Sequence, residues 1–173
     1  EYRNRIINEF DKMGYETVYK VMSAADFETP QDRKRCFFVA VRSDIMDKAG
    51  LNFMTLESEI YPDPVTPKHI GVKEAIEDCV NDPEQEKELF EYVQKGFQKK
   101  WIELLEFNPK KHRKPSDPDF IDINPKRSMF NMIRPAPHLP CPTLTQRGQQ
   151  MSVSGVFHYA KNRKFTIPEL KRL

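Results

Sequence analysis

Residues 23–41 read Ser-Ala-Ala-Asp-Phe-Glu-Thr-Pro-Gln-Asp-Arg-Lys-Arg-Cys-Phe-Phe-Val-Ala-Val. The residues at 24–27 predict a short helical turn, which Pro30 ends because proline biases the residue before it toward an extended conformation. After Pro30 the chain is first charged and then apolar, with β-branched and aromatic side chains and no Gly or Pro before Gly50. This composition predicts a strand.

Two arginines stand at the start of the predicted strand. Because strand side chains alternate, we expect Gln31, Arg33 and Arg35 on one face. The run at 36–41 is apolar at every position, which predicts a strand buried on both sides. Two guanidinium groups at the mouth of such a strand form a donor array suited to phosphate oxygens or a base carbonyl. The alternative is an ordinary strand edge whose arginines pair with nearby carboxylates.

The residues around this strand resemble a known motif. Gly-Tyr at 14–15, Ala-Ala-Asp-Phe at 24–27 and Pro-Gln-Asp-Arg-Lys-Arg at 30–35 are similar to the Gln-x-Arg-x-Arg motif of cytosine-5 DNA methyltransferases and to the segment that precedes it. The chain departs from this motif at two places. Ser23 stands where Asn is usual, and Glu-Thr at 28–29 stands where Gly-x is common.

A second match lies far downstream. Cys-Pro-Thr-Leu-Thr at 141–145 resembles the family's Pro-Thr-Leu-Thr block, in which Thr143 and Thr145 would be structural residues. His-Tyr at 158–159 and Arg-Lys-Phe-Thr-Ile-Pro-Glu-Leu-Lys-Arg-Leu at 163–173 resemble the conserved segment that follows this block. Two ordered matches separated by a variable stretch make the resemblance specific.

The resemblance implies an α+β fold in three parts. Residues 1–44 would be a helix and strand pair from the edge of an α/β methyltransferase sheet, at the C-terminal edge of the catalytic domain. Residues 45–165 would be a small target recognition domain of helices and irregular segments that includes the Pro-Thr-Leu-Thr block. Residues 166–173 would begin a helix that returns to the catalytic domain.

The resemblance also implies an activity and roles for particular residues. The whole enzyme would transfer a methyl group from S-adenosylmethionine to C5 of a flipped cytosine. Arg33 and Arg35 would support the cytosine pocket, with Gln31 fixing the strand through hydrogen bonds. Cys141 follows a proline, as the family's nucleophile does, but it lies C-terminal to the arginine motif, so we interpret it as a packing residue.

The catalytic and cofactor motifs of the family are missing from this sequence. It contains no Phe-x-Gly-x-Gly, no Pro-Cys-Gln and no Glu-Asn-Val. We therefore expect this chain alone to be inactive and to bind no S-adenosylmethionine.

Basic and amide side chains between the two matches are candidate contacts to double-stranded DNA. Arg, Gln and Asn can read base edges, whereas phosphate contacts position a protein without reading sequence. The alternative for a lysine-rich loop is a solvated face. The candidates are Lys110, Lys111, Arg113, Lys114, Arg127, Arg134, Gln146, Arg147, Gln149 and Gln150.

Other elements follow from local patterns. Apolar residues at helical spacing before Gly14 predict an N-terminal helix, and a strand is expected over 15–22. An apolar stripe predicts one long helix over 83–106, begun by Asp82 as cap and Pro83 at the first turn. A short extended piece is expected at 120–123.

Two further local signals concern the middle and the end of the chain. The stretch 44–63 is too mixed to assign to helix or strand. Thr166, followed by proline and then by Glu169, predicts a helix that opens with a capping box.

Bulk properties narrow the class of protein. The chain has 173 residues, a formal net charge of +2, 12 phenylalanines and three cysteines. The charge is too small to argue for nucleic acid by itself. Scattered cysteines without C-x-x-C spacing indicate reduced thiols, and with no membrane-spanning apolar run we expect a cytoplasmic protein.

Three alternatives remain open on sequence alone. The chain could be a non-catalytic nucleic-acid-binding module, a member of the branch that methylates transfer RNA, or a protein-interaction domain built on the long amphipathic helix. A prokaryotic restriction–modification role, with a cognate restriction endonuclease, fits the favoured interpretation.

Overall fold

The computed structural model describes residues 1–125, 132–145 and 155–173. These residues form short helices and three two-stranded sheets, the mixed α and β composition that the sequence predicts. Within them, no helix is both long and apolar enough to cross a membrane. In chain order the elements are α1 (Tyr2–Lys12), β1 (Tyr15–Ser23), a 3₁₀ turn (Ala24–Phe27), β2 (Gln31–Asp32), β3 (Lys34–Arg42), α2 (Ser43–Ala49), α3 (Phe53–Ile60), α4 (Val72–Ile76), α5 (Pro83–Val93), α6 (Gly96–Leu104), a second 3₁₀ turn (Pro118–Phe120), β4 (Met132–Ile133), β5 (Cys141–Pro142), β6 (Gly155–Val156) and α7 (Ile167–Arg172).

The chain divides into two compact units. The first contains Glu1–Ser23 and Lys34–Val65, and the second contains Ala24–Arg33 and Thr66–Leu173. The segment with the 3₁₀ turn and β2 therefore belongs to the second unit, although it lies between two strands of the first. The domain boundaries implied by the family resemblance stay a prediction.

A β-hairpin forms the centre of the first unit. Strands β1 and β3 pair antiparallel from Tyr15 opposite Arg42 to Ser23 opposite Lys34. The turn predicted at 24–27 and the strand expected over 15–22 are confirmed. Gly14 ends α1 with a φ of +79°, a conformation that glycine adopts without steric cost.

Two helices cover one face of this hairpin. Val18, Met46, Leu56 and Tyr61 form its buried cluster, and the Tyr61 hydroxyl donates to the carbonyl of Val18 at 3.2 Å. The stretch that the sequence left unassigned is therefore two helices, α2 and α3. The sequence pattern did not show these two helices because each of them buries few apolar residues.

The apolar part of β3 is more exposed than predicted. Cys36 is exposed and Phe37 keeps 49% of its surface accessible, so the expectation of burial on both sides is wrong for this chain. In the described part of the chain β3 has one strand neighbour, β1. Phe37 lies near the start of β3, whereas Val39 and Val41, further along the strand, pack against the buried cluster.

The predicted arginine strand is interrupted. Strand β2 ends at Asp32 and β3 begins at Lys34, with Arg33 between them. The Arg33 N–H donates to the carbonyl of Gln31, two residues back, at 3.0 Å. A bond of this span closes a tight turn, which a continuous strand cannot contain. Arg33 and Arg35 therefore do not share one regular strand.

Two clusters form the core of the second unit. The first is built around α5 and α6 from Val93, Trp101, Ile102, Leu105, Phe120, Met132 and Phe157. The predicted long helix is two helices, because the backbone of Lys95 is extended at φ −98° and ψ 133°. The Asp82 cap is confirmed, since its carboxylate accepts from the Glu84 N–H at 3.0 Å.

The second cluster joins distant parts of the sequence. Val72 and Ile76 of α4 pack with Cys141, Val156, Phe165 and Leu173. Residues 120–123 were expected to be extended. They instead form a turn that begins at the last residue of the second 3₁₀ turn, in which the Ile123 N–H donates to the carbonyl of Phe120 at 3.1 Å.

Gly71→Ala is expected to destabilise the second unit. A Cβ at this position would lie 2.6 Å from the carbonyl oxygen of Pro137 and 2.8 Å from the Cα of His138, both backbone atoms. We expect a loss of about 1–3 kcal/mol in the free energy of unfolding, as for overpacked cores, measured by urea unfolding of the intact protein. Glu74→Ala, an exposed change in α4, is the control and should stay within about 0.5 kcal/mol. Equal losses would contradict the close approach.

Candidate functional site

The two segments that carry the sequence motifs lie side by side. Strand β2 pairs parallel with β5, with Gln31 opposite Cys141 and Asp32 opposite Pro142. The Cys141 N–H donates to the carbonyl of Pro30 at 2.8 Å. The Thr143 hydroxyl extends the contact by donating to the carbonyl of Asp32 at 2.9 Å. The beginning of the arginine motif is thus bound to the Pro-Thr-Leu-Thr block.

Gln31 adds a third segment to this pair. Its Nε2 donates to the carbonyl of Leu173 at 3.0 Å, so the end of α7 meets the start of the arginine motif. The side chain makes a structural hydrogen bond, the type of role that the resemblance implies for it. Thr145 is exposed at the far side of the block.

The two arginines differ in their surroundings. Arg33 is exposed, and its carbonyl accepts from the Ala24 N–H at 3.1 Å. Arg35 is also exposed, and its Nη1 donates to the carbonyl of Lys34 at 2.7 Å. Both guanidinium groups thus have donors directed toward solvent. In this chain they are positioned by backbone contacts of the segments that carry them.

Cys141 is placed where its reactive thiolate form is disfavoured. It is fully buried in the core cluster of α4 and β5. Burial raises the pKa of its thiol far above the ordinary value, and the thiolate is the reactive form. Its role is packing.

A buried ionic network holds α7 in place. The Arg163 guanidinium is 2% exposed and binds both carboxylate oxygens of Glu169, Nη1 to Oε2 at 2.7 Å and Nη2 to Oε1 at 2.8 Å. Nη2 also donates to Glu86 of α5, which accepts from the Lys161 ammonium at 2.6 Å. Arg163 therefore joins α5 to α7.

Polar side chains complete this network. The predicted capping box is confirmed, because the Thr166 hydroxyl accepts from the Glu169 N–H at 3.4 Å and the Glu169 carboxylate accepts from the Thr166 N–H at 2.9 Å. Asn81 donates to Glu169 at 2.9 Å and accepts from the Thr166 hydroxyl at 2.5 Å. Burial acts to raise the pKa of Glu169, but hydrogen bonds from Arg163 and Thr166 outweigh it and hold that pKa well below its ordinary value.

His158 lies beside the network as a neutral ring. Burial, and then the positive charge of Arg163, hold the pKa of His158 below its ordinary value. Its Nδ1 accepts from the N–H groups of Ala160 and Lys161 at 3.0 and 2.9 Å. A protonated ring would have to lose these bonds. Across the described residues, no group of three or more His, Cys, Asp or Glu side chains is arranged to hold a metal ion.

The structure places Arg134 in the interior. It is 3% exposed, and its guanidinium donates to the carbonyls of Leu105, Ile102, His158 and Lys161 and to the side chain of Asn162. Burial lowers the pKa of Arg134 to about 10, so the group stays charged at pH 7. With its donors committed to the protein, Arg134 is not available to DNA and is removed from the candidate contacts.

In the lysine-rich loop the lysine side chains are exposed, whereas the arginine bonds to carboxylates of the protein. Lys110, Lys111 and Lys114 are exposed. Arg113 lies 2.6 Å from Asp119 and 3.2 Å from Asp117, with its guanidinium 4.8 Å from the centre of the Phe120 ring. The remaining candidates, Arg127, Gln146, Arg147, Gln149 and Gln150, lie outside the described residues.

Comparison with known proteins agrees with the motifs. The sequence profile of the family described as C-5 cytosine-specific DNA methylase matches residues 1–173, the whole of this chain. The chain belongs to the C-5 cytosine-specific DNA methylase family.

Curated relatives of this methylase chain are considerably longer. It is 24% identical over 194 residues to the Type II methyltransferase M.DdeI of Desulfomicrobium norvegicum, covering 97% of the chain and 46% of that protein. It is 38% identical over 74 residues to the Type II methyltransferase M.MthTI of Methanothermobacter thermautotrophicus, covering 43% of the chain and 19% of that protein. M.BsuRI of Bacillus subtilis, also a Type II methyltransferase, is 33% identical over 89 residues, which cover 48% of the chain and 18% of that protein. The chain spans less than half the length of each.

Two features of this methylase chain were missed in the sequence. Asn81 and Glu86, which complete the network, lie far from α7 along the chain. Nothing in the sequence around them marks Asn81 as a partner of Glu169, or Glu86 as a partner of Arg163. The inward position of Arg134 was also missed. Its signal is the apolar and proline context Met-Ile-Arg-Pro at 132–135, which favours a buried position over a DNA-facing loop.

Glu169→Gln is expected to be strongly destabilising in the intact methylase. It leaves the buried Arg163 charge with a single carboxylate partner, and breaking a buried ion pair typically costs about 3–5 kcal/mol. The free energy of urea unfolding is the measurement. The matched control is Arg172→Gln, which breaks the exposed pair of α7 with Asp78 at 3.1 Å and should cost less than about 1 kcal/mol. A loss as small as the control's would contradict the network's role.

Proposed function

We propose that this chain is the DNA-recognition portion of a cytosine-5 DNA methyltransferase. The whole enzyme transfers a methyl group from S-adenosylmethionine to C5 of a cytosine flipped out of the duplex. The observation that carries the proposal is the parallel pairing of β2 with β5. This pairing brings the Gln-x-Arg-x-Arg and Pro-Thr-Leu-Thr segments together although they are far apart in the sequence. Asp32 and Thr143, which are hydrogen-bonded, are 111 positions apart.

Arg33 and Arg35 carry the chemical part of the proposal. An enzyme that attacks a ring carbon must take the base out of the stack, at a cost of roughly a few kcal/mol. As the nucleophile adds to the ring, negative charge develops toward the base carbonyl. Guanidinium donors held at that oxygen stabilise this charge. The exposed donors of Arg33 and Arg35 are suited to this role.

The cofactor belongs to another part of the enzyme. A cavity of about 470 Å³ in the second unit is lined by Lys99, Lys100, Glu103, Leu104 and Ile123. Its two ammonium groups would repel the sulfonium of S-adenosylmethionine. A cavity of about 460 Å³ borders Glu86 and Arg163, whose charges are already bonded to each other. Neither cavity favours the cofactor, and the sequence contains no Phe-x-Gly-x-Gly and no Pro-Cys-Gln. We therefore assign the cofactor and the nucleophilic cysteine to other parts of the whole enzyme.

DNA contacts are assigned to the segments after α6. Lys110, Lys111 and Lys114 are exposed and suit phosphate oxygens, which position the protein without reading sequence. Arg113 is neutralised by its two carboxylates, so we give it a lesser part. We assign the contacts to base edges to residues that are predicted from the sequence alone: Arg127, Gln146, Arg147, Gln149 and Gln150.

A restriction–modification role completes the proposal. It is supported by the relatives, each of which is named a Type II methyltransferase. A cognate restriction endonuclease would act on the same DNA sequence, without a required contact to this chain.

The proposed function is tested by mapping methylated cytosines. Bisulfite sequencing of the source genome should show 5-methylcytosine at one recognition sequence. Deleting the gene should remove methylation from that sequence, and returning it should restore the mark. An unchanged map after deletion would contradict the proposed activity.

In the intact enzyme, Arg35→Ala should lower kcat by about 10²–10³, the usual loss when a donor to developing charge is removed. DNA affinity should change little, because most of it comes from phosphate contacts. Single-turnover methyl transfer and DNA titration measure the two quantities. The matched control is Lys34→Ala, whose side chain lies on the opposite face of β3. Loss of turnover in the control alone would show that the wrong face has been assigned.

A further inference from the structure

Glu28 holds an unusual backbone conformation. Its φ is +59°, in the left-handed region that residues with a side chain seldom occupy. Glu28 follows the 3₁₀ turn Ala24–Phe27, and the next N–H, that of Thr29, donates back to the carbonyl of Ala24 at 3.4 Å. This is the bond of a Schellman-type helix end, where glycine is the usual residue. With glutamate there, the turn needs support from elsewhere.

The support comes from residues 66–69, which we name the 66–69 clamp. The Glu28 N–H donates to the Thr66 hydroxyl at 2.7 Å, and the Thr66 N–H donates to the carbonyl of Asp26 at 3.2 Å. His69 Nε2 lies 2.8 Å from the Asp26 carboxylate. Thr66 therefore holds the turn on both sides of Phe27, and His69 adds a side-chain bond.

The chain beyond the clamp is itself anchored. The N–H groups of Val72 and Lys73 donate to the carbonyls of Leu139 and Pro137 at 3.0 and 2.9 Å. Those carbonyls lie just before β5, the strand that pairs with β2. The 66–69 clamp and β5 thus hold the same loop, one before Pro30 and the other after it.

We propose that Thr66 is a positioning residue for the arginine motif, assisted by His69. By fixing the left-handed turn at Glu28, it sets the path of the chain into Gln31 and Arg33. Its effect on turnover rests on the proposed function of Arg33. Its effect on the turn does not.

The experiment is a double-mutant cycle in the intact enzyme. Thr66→Val keeps the shape of the side chain and removes the hydroxyl, and Thr66→Ser keeps the hydroxyl. Glu28→Gly lets the backbone hold the turn without support. For each variant, kcat, DNA affinity and melting temperature are measured. Arg33→Ala is measured beside them.

Thr66→Val should lower kcat about tenfold or more, since a misplacement of about 1 Å can cost up to 10²-fold. DNA affinity should not change, and Thr66→Ser should keep near-normal turnover. In the Glu28→Gly background, Thr66→Val should have little effect on either kcat or melting temperature. This rescue distinguishes positioning from a general loss of stability.

Two outcomes would overturn the proposal. The first is an equal loss of kcat from Thr66→Val with glutamate or with glycine at this turn. The second is a near-normal kcat in Thr66→Val beside a lowered melting temperature, which would make the contact structural only. Normal turnover in Arg33→Ala, combined with the predicted rescue, would support the clamp and contradict the function proposed for Arg33.

Discussion

Arg163 carries a charge that has almost no access to water, so its partners must come from the protein. Removing a guanidinium from water is costly, and the cost is recovered only when geometry and hydrogen bonding are nearly complete. Both oxygens of Glu169 and one of Glu86 supply this bonding. The requirement fixes α7 against α5. Because the carbonyl of Leu173 at the end of α7 accepts from Gln31, the constraint extends to the start of the arginine motif.

A related constraint explains the other interior cation. Strands β4, β5 and β6 have two residues each, so they satisfy few backbone groups. Buried carbonyls in the irregular segments still need donors. Arg134 meets this need, since one guanidinium offers five N–H groups and four of its acceptors here are backbone carbonyls. Where there is little regular secondary structure, one arginine can thus donate to backbone carbonyls that the strands of a larger sheet would otherwise pair.

What the sequence predicted correctly was local. The turn at 24–27, the Asp82 cap and the Thr166 capping box depend on residues within a few positions of each other. What it missed depended on distant partners. The exposure of Phe37 depends on which distant elements pack against the face of β3, and Arg134 was misplaced because its acceptors are spread over several segments. At Glu28 one feature could be predicted and one could not. The sequence marks Glu28 as a departure from the motif, but it does not indicate the partner Thr66, which lies 38 residues away.

The basic residues that the structure describes between 107 and 145 divide by their chemistry. Arg113 and Arg134 turn toward carboxylates and carbonyls, while Lys110 and Lys114 are exposed. A planar guanidinium satisfies several fixed acceptors at once, whereas a compact ammonium is strongly hydrated and is more easily left in water. Lysines attract phosphate but do not distinguish bases as bidentate groups do. Under the proposed function, the exposed lysines would therefore position DNA without reading it, and discrimination between sequences would fall to the guanidinium and amide groups predicted elsewhere in the chain.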